Sequence, residues 1–130
     1  MAYKVFISHS SHDTWVARQL EKHTRESGAT AFIDSDGLKV GDEIDENIQK
    51  NLRDSNELLV LLTPAANSSP YVQAEIGAGW ILGLRISALL YGVEPENMNP
   101  LIKGKKLYLQ INNADDYFQQ LSGRIKNQLP

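Results

Sequence analysis

Apolar runs alternate with stretches of helical spacing along this chain. Five runs of apolar and β-branched residues predict strands at positions 3–8, 30–34, 57–63, 86–91 and 105–111. The third run, E-L-L-V-L-L-T, is the most apolar and is typical of a central strand that is covered on both faces.

The stretches between these runs predict helices, because their apolar residues recur every three or four positions. The first helix is expected to end at Gly28, since glycine is a common helix stop. Ser69 and Pro70 predict another helix start, because serine caps free amides and proline fits the first helical position. Positions 64–69 and 92–104 are predicted to be loops. The four predicted helices begin at Thr14, Asp42, Pro70 and Ala114.

The alternation of strands and helices predicts a mostly parallel sheet with helices on both faces. For five strands the common doubly wound arrangement is the flavodoxin-like order 2-1-3-4-5. We therefore expect an α/β fold of this order, in a single domain over residues 1–130. Its switch point lies between the first and third strands, so a ligand is expected beyond their carboxyl ends, at residues 8–11 and 63–69.

Composition narrows the class of protein. The chain has no cysteine, which excludes a disulfide framework and a thiolate metal site and fits a reducing compartment. A net charge of −3 argues against a dedicated nucleic-acid binder. No signal peptide is recognised, and the expected location is cytoplasmic. Residues 76–93 are apolar, but they contain Arg85 and four glycines, so a helix followed by a buried strand is favoured over a membrane span.

Glu75 is the candidate centre of the chemistry. On a helix it lies four residues after Tyr71 and four before Gly79, so the three residues share one face. This pattern places a carboxylate beside an aromatic ring on a helix with small neighbouring side chains. Such a surface suits the binding of a flat ligand. The alternative is a solvated glutamate, which is the usual state of a charged side chain on an amphipathic helix.

Two other constellations have plainer explanations. His9, His12 and Asp13 contain metal-ligating groups, but a loop entering a helix, with Asp13 as its cap, is the favoured interpretation, and no metal site is expected. Gly77, Gly79 and Gly83 lie inside a predicted helix, whereas a dinucleotide fingerprint must open one. Close packing of these glycines against the sheet is expected instead.

Four segments together resemble a Toll/interleukin-1 receptor (TIR) domain of the compact bacterial type. They are V-F-I-S-H-S-S-H-D, F-I-D-S-D-G-L-K-V-G-D, L-L-V-L-L-T-P and S-P-Y-V-Q-A-E-I-G. TIR domains either assemble signalling complexes or cleave the nicotinamide-ribose bond of NAD⁺. The resemblance therefore implies one of these two functions.

The resemblance also implies roles for particular residues. Enzymatic TIR domains have a glutamate on the third helix, usually four residues after an aromatic, and Glu75 after Tyr71 matches this arrangement. Leu38 and Gly41 match second-loop positions that shape the mouth of the pocket and take part in assembly. The first-loop stretch that lines the nucleotide site is matched by Ser8, His9, Ser10 and Ser11.

The expected function is therefore an NAD⁺ glycohydrolase or cyclase in bacterial antiphage signalling, with NAD⁺ as substrate and no cofactor. The alternative is a non-catalytic TIR module that assembles through protein–protein contacts. Self-association is expected, and a sensor or effector domain or protein is a further expected partner. The chain also contains an acidic block and a basic block. The favoured interpretation is that both are solvated faces, and the alternative is that they make head-to-tail contacts between molecules. The acidic block is Asp34, Asp36, Asp42, Glu43, Asp45 and Glu46, and the basic block is Lys103, Lys105 and Lys106.

Overall fold

The computed structural model describes residues 2–33, 46–103 and 108–128. Its five strands form one sheet in the order β2-β1-β3-β4-β5, and every neighbouring pair is parallel. The order confirms the predicted doubly wound arrangement and places the switch point between β1 and β3. The strands are β1 (Lys4–Ser8), β2 (Thr30–Ile33), β3 (Glu57–Leu62), β4 (Arg85–Leu90) and β5 (Tyr108–Gln110).

Six α-helices lie in the described ranges, and two of them fall where loops were predicted. The predicted start of the second helix at Asp42 lies outside the described residues. The predicted fifth strand is too long at its end, because Ile111 begins a 3₁₀ turn. The helices are α1 (Thr14–Glu26), α2 (Glu46–Arg53), α3 (Pro64–Asn67), α4 (Pro70–Ile81), α5 (Pro100–Lys103) and α6 (Ala114–Gln128).

The two unpredicted helices, α3 and α5, begin with the same signal as α4. In each case a polar side chain accepts a hydrogen bond from a backbone amide, and a proline follows it. Thr63 accepts from the amide of Ala66 at 3.1 Å, and Asn99 accepts from that of Leu101 at 2.9 Å. The loop predictions at 64–69 and 92–104 are therefore wrong in part, since a cap followed by proline is enough for a single helical turn.

The central strand β3 divides two hydrophobic layers. Leu58, Val60 and Leu62 pack in a cluster with residues of α2, α4 and α5, whereas Leu59 and Leu61 pack in a second cluster with residues of α1 and α6. All six residues of β3 are fully buried. This confirms that the most apolar run is the central strand and that helices cover both faces of the sheet.

A buried carboxylate occupies the amino end of β3. Glu57 is fully buried and accepts hydrogen bonds from the hydroxyls of Tyr3 and Tyr117. Its carboxylate also pairs with Nε and Nη2 of Arg124, each at 3.1 Å. Burial raises the pKa of Tyr3 to about 12 and that of Tyr117 well above its ordinary value, and the Glu57 carboxylate adds to both shifts. Both tyrosines therefore remain hydrogen-bond donors at neutral pH. The Glu57 carboxylate is therefore fully paired with protein groups at the amino end of β3.

The glycines of α4 have different roles. A β-carbon at Gly79 would lie 2.9 Å from Cδ2 of Leu58, so this glycine lets the helix approach the sheet closely. Gly83 has a φ of +72° and forms the turn between α4 and β4, which divides the apolar stretch at 76–93 into a helix and a strand. No helix in the part of the chain that the structure describes is long and apolar enough to cross a bilayer. The expected packing against the sheet is wrong at Gly77 and Gly83, where a β-carbon would meet nothing within 4 Å, and Gly83 lies beyond the end of α4.

Gly77 and Gly79 form a matched pair of sites for alanine substitution. We expect Gly79→Ala to have a free energy of unfolding about 1–3 kcal/mol below that of Gly77→Ala, because only at Gly79 is the new methyl group forced against Leu58 in the core. Gly77→Ala is expected to raise the free energy of unfolding by up to about 1 kcal/mol, because alanine reduces the entropy lost on helix formation. Urea denaturation of both variants measures the difference. Equal effects of the two substitutions would contradict the close approach of α4 at Gly79.

Candidate active site

The carboxyl ends of β1 and β3 form the crevice expected at the switch point. Ser8, the last residue of β1, lies in register with Val60 of β3, and Thr63 directly follows the end of β3. From Thr63 the chain passes through α3 into α4. The two strand ends therefore bring the first loop and the start of α4 to the same edge of the sheet.

Helix α4 carries Glu75 to this edge. The Ser69 side chain caps α4 by accepting a hydrogen bond from the amide of Val72, and Pro70 is its first residue, as predicted. Val72 and Ile76 are buried in the core and fix which face of the helix meets the sheet. Glu75, in the second turn between these two residues, is partly buried.

Ser8 and Glu75 meet directly. The hydroxyl of Ser8 donates a hydrogen bond of 2.6 Å to Oε1 of Glu75. Ser8 is only 1 % exposed, so the bond joins the carboxylate to the interior at the tip of the first strand. Glu75 therefore lies at the crevice and is not a freely solvated side chain.

A second bond crosses the same crevice. The hydroxyl of Thr63 donates to Oδ2 of Asp13 and also accepts from the amide of Ala66, so one side chain caps α3 and holds the first loop. Asp13 lies at the predicted N-cap position of α1, but the predicted capping bond is wrong, because its side chain bonds to Thr63 and makes no capping bond to α1. Ser10 performs the nearest capping role, accepting from the amide of His12 at 3.2 Å.

The remaining predicted site residues differ in how exposed they are. His9 is partly buried, and its Nδ1 donates to the Ser10 carbonyl oxygen at 2.7 Å. Ser10 is buried, whereas Ser11 is exposed at the start of a 3₁₀ turn. Tyr71 is 42 % exposed and lies one helical turn before Glu75 on the same face. Leu38 and Gly41 lie outside the described residues.

Residues that sequence reasoning missed hold α4 from its other side. Gln73 donates to the carbonyl oxygens of Ala66 and Asn67 at 3.3 and 3.4 Å and accepts from Asn99 at 2.7 Å. The stretch after β4 thus supports the helix that carries Glu75. Only the cap-and-proline signal at Asn99 and Pro100 marks it in the sequence.

Metal-ligating side chains do not cluster in the described ranges. No group of three or more histidine, cysteine, aspartate or glutamate residues there has an arrangement that could hold a metal ion. His12 is exposed, while Asp13 is bonded to Thr63, so these two side chains have separate structural surroundings. The chemistry available at the described crevice is that of a carboxylate, hydroxyls, an imidazole and an aromatic ring.

Comparison with known families identifies the fold group. A family model described as the TIR domain matches residues 5–124. The chain belongs to the TIR domain family. The TIR domain of the Toll-related receptor TRR-2 from Hydra magnipapillata superposes with a TM-score of 0.69 at 21 % identity, covering 92 % of this chain and 98 % of that one. Such a distant structural likeness supports the TIR fold alone.

Two further relatives belong to larger proteins. A TIR-STING receptor from C. gigas has a TM-score of 0.69 and 20 % identity over 91 % of this chain and 40 % of its own. The probable 2′ cyclic ADP-D-ribose synthase BdTIR of Brachypodium distachyon is 26 % identical over 98 residues, which cover 74 % of this TIR chain. The chain spans 44 % of the length of that curated relative.

Thr63 offers a test of the bond across the crevice. We expect Thr63→Val to lower the free energy of unfolding by about 1–3 kcal/mol, because it removes the cap of α3 and leaves Asp13 without this donor. Thr63→Ser is the matched control and should remain close to the parent protein, since it retains the hydroxyl. Denaturation in urea at pH 7 gives both values. Two variants of equal stability would show that the hydroxyl does not hold the crevice.

Proposed function

We propose that this TIR domain cleaves the nicotinamide-ribose bond of NAD⁺, as a glycohydrolase or a cyclase. The observation that carries the proposal is the position of Glu75, whose carboxylate is bonded to the buried end of β1 at the switch-point crevice. Ligands of doubly wound sheets bind beyond the carboxyl ends of the strands at this point. The acidic side chain and the expected ligand position therefore coincide.

The reaction requires little from the protein. When the bond between C1′ of the ribose and the nicotinamide nitrogen breaks, its electron pair neutralises the pyridinium charge, so the leaving group needs no general acid. Positive charge then develops on the ribose, as in glycoside hydrolysis. Glu75 supplies a fixed negative charge next to it, which lowers the energy of the transition state.

The second half of the reaction decides the product. If water attacks C1′ and loses a proton, the product is ADP-ribose. If a nucleophilic atom elsewhere in the same molecule attacks instead, the product is a cyclic ADP-ribose. The name of BdTIR, a probable 2′ cyclic ADP-D-ribose synthase, supports chemistry at an ADP-ribosyl C1′ in a relative of this chain.

Other residues take supporting roles in this proposal. The exposed ring of Tyr71, one turn from Glu75, stacks on the nicotinamide or the ribose. His9 and Ser11 of the first loop face the nucleotide, with a hydroxyl and backbone amides in place of basic phosphate ligands, while the buried Ser10 shapes the loop by accepting from the His12 amide. Leu38 and Gly41 of the second loop shape the pocket mouth, in the same or a neighbouring molecule.

Glu75→Gln gives the test of this function. It keeps the size of the side chain and its ability to accept from Ser8 but removes the negative charge, so we expect release of nicotinamide to slow about 100- to 1,000-fold. Glu26→Gln is the control and should retain the parent rate, because Glu26 is exposed and ends α1 shortly before β2 begins, at the opposite edge of the sheet. Chromatography of nicotinamide and all ribose-containing products measures both. A Glu75→Gln protein that cleaves NAD⁺ at the parent rate contradicts the proposal.

A non-catalytic assembly module is the second candidate, and a specific surface favours it. Three consecutive large apolar side chains are exposed at the end of α4, which is unusual for a protein surface. They are Trp80, Ile81 and Leu82, which are 49, 78 and 44 % exposed. Such a surface suits contacts between TIR domains. The described parts of the acidic and basic blocks are Glu46 and Lys103, both exposed. Parent protein that assembles at high concentration but never releases nicotinamide would support this candidate instead.

A further inference from the structure

We propose that Ser8 is a positioning residue, whose buried hydroxyl fixes the Glu75 carboxylate in the orientation used for NAD⁺ cleavage. This inference rests on the proposed function. It changes the role expected for Ser8 from the family resemblance, which was contact with the nucleotide. Contact with the nucleotide requires an accessible hydroxyl, whereas positioning requires a hydroxyl bonded to Glu75.

The surroundings of Ser8 favour contact with Glu75. Ser8 ends β1 in register with Val60, so β3 flanks it on one side. It is 1 % exposed, whereas Ser11, three residues later in the first loop, is exposed. A hydroxyl with almost no accessible surface has little area to offer a nucleotide. Its bond of 2.6 Å to Glu75 joins residues that are 67 positions apart in the chain.

The bond gives Glu75 a support outside its own helix. A glutamate side chain has three rotatable bonds, and holding them in one arrangement costs conformational entropy. Ser8 is itself held by a strand that is paired on both sides, with β2 and with β3. Its hydroxyl therefore provides a fixed donor, so the carboxylate is oriented before the substrate arrives. Misplacement of a catalytic group by about 1 Å typically costs on the order of 100-fold in rate.

Ser8→Ala separates positioning from substrate contact. Alanine fits the space of serine, so the strand should remain intact while the donor is lost. We expect kcat to fall by about 10- to 100-fold, with KM for NAD⁺ within about twofold of the parent value. Ser8→Cys, which keeps a weak donor of similar shape, should recover part of the rate. Ser55→Ala is the control, because Ser55 is also buried but bonds to the Asn51 carbonyl oxygen at the opposite edge of the sheet.

A double-mutant cycle tests the bond without any substrate. The unfolding transitions of the parent, Ser8→Ala, Glu75→Ala and the double variant are measured in urea. If Ser8 and Glu75 are bonded, the shift caused by Ser8→Ala should largely disappear in the Glu75→Ala background. Additive shifts overturn the bond itself.

The two measurements distinguish the failures of the two proposals. An unchanged kcat in Ser8→Ala, or a raised KM with kcat unchanged, overturns the positioning role even if NAD⁺ is cleaved. A parent protein that releases no nicotinamide overturns the proposed function, and with it the catalytic part of this inference. Coupled unfolding shifts together with a lower kcat at constant KM support the inference in full.

Discussion

The structure depends on the burial of β3 on both faces. Because this strand is covered by helices on both sides, polar groups can join it only at its two ends. At the amino end, Glu57 is enclosed by two tyrosines and an arginine. At the carboxyl end, Thr63 bonds to Asp13 and leads through α3 into α4, which carries Glu75. The central strand therefore has a carboxylate paired with protein groups at its amino end and the switch-point crevice at its carboxyl end.

Much of this arrangement could be predicted from local patterns. Apolar runs give the strands, helical spacing gives the longer helices, and their alternation gives the sheet order. Ser69 and Pro70 mark the start of α4 correctly. The single-turn helices at Pro64 and Pro100 were missed, because such a short segment has no apolar period and is marked only by its cap and proline.

The contacts that build the site could not be read in the same way. Ser8 and Glu75 are 67 residues apart, and Asp13 and Thr63 are 50 apart. Such pairs are brought together by the register of the sheet, so no short-range spacing in the sequence indicates that the two residues are in contact. Reasoning from local chemistry assigned Asp13 to a helix cap, and the tertiary bond to Thr63 replaced it. The family resemblance selected Glu75 and Ser8 but did not show that one holds the other.

We propose that NAD⁺ binds at the carboxyl ends of β1 and β3, against Glu75. Hydrogen–deuterium exchange on the Glu75→Gln protein tests this site directly, because we expect that variant to bind NAD⁺ and to consume it slowly. We predict that NAD⁺ slows exchange in peptides covering residues 8–13 and 63–75 and leaves unchanged the peptides around Glu57 and Arg124. Slower exchange confined to the Glu57 edge, or no change at residues 8–13 and 63–75, would contradict the account.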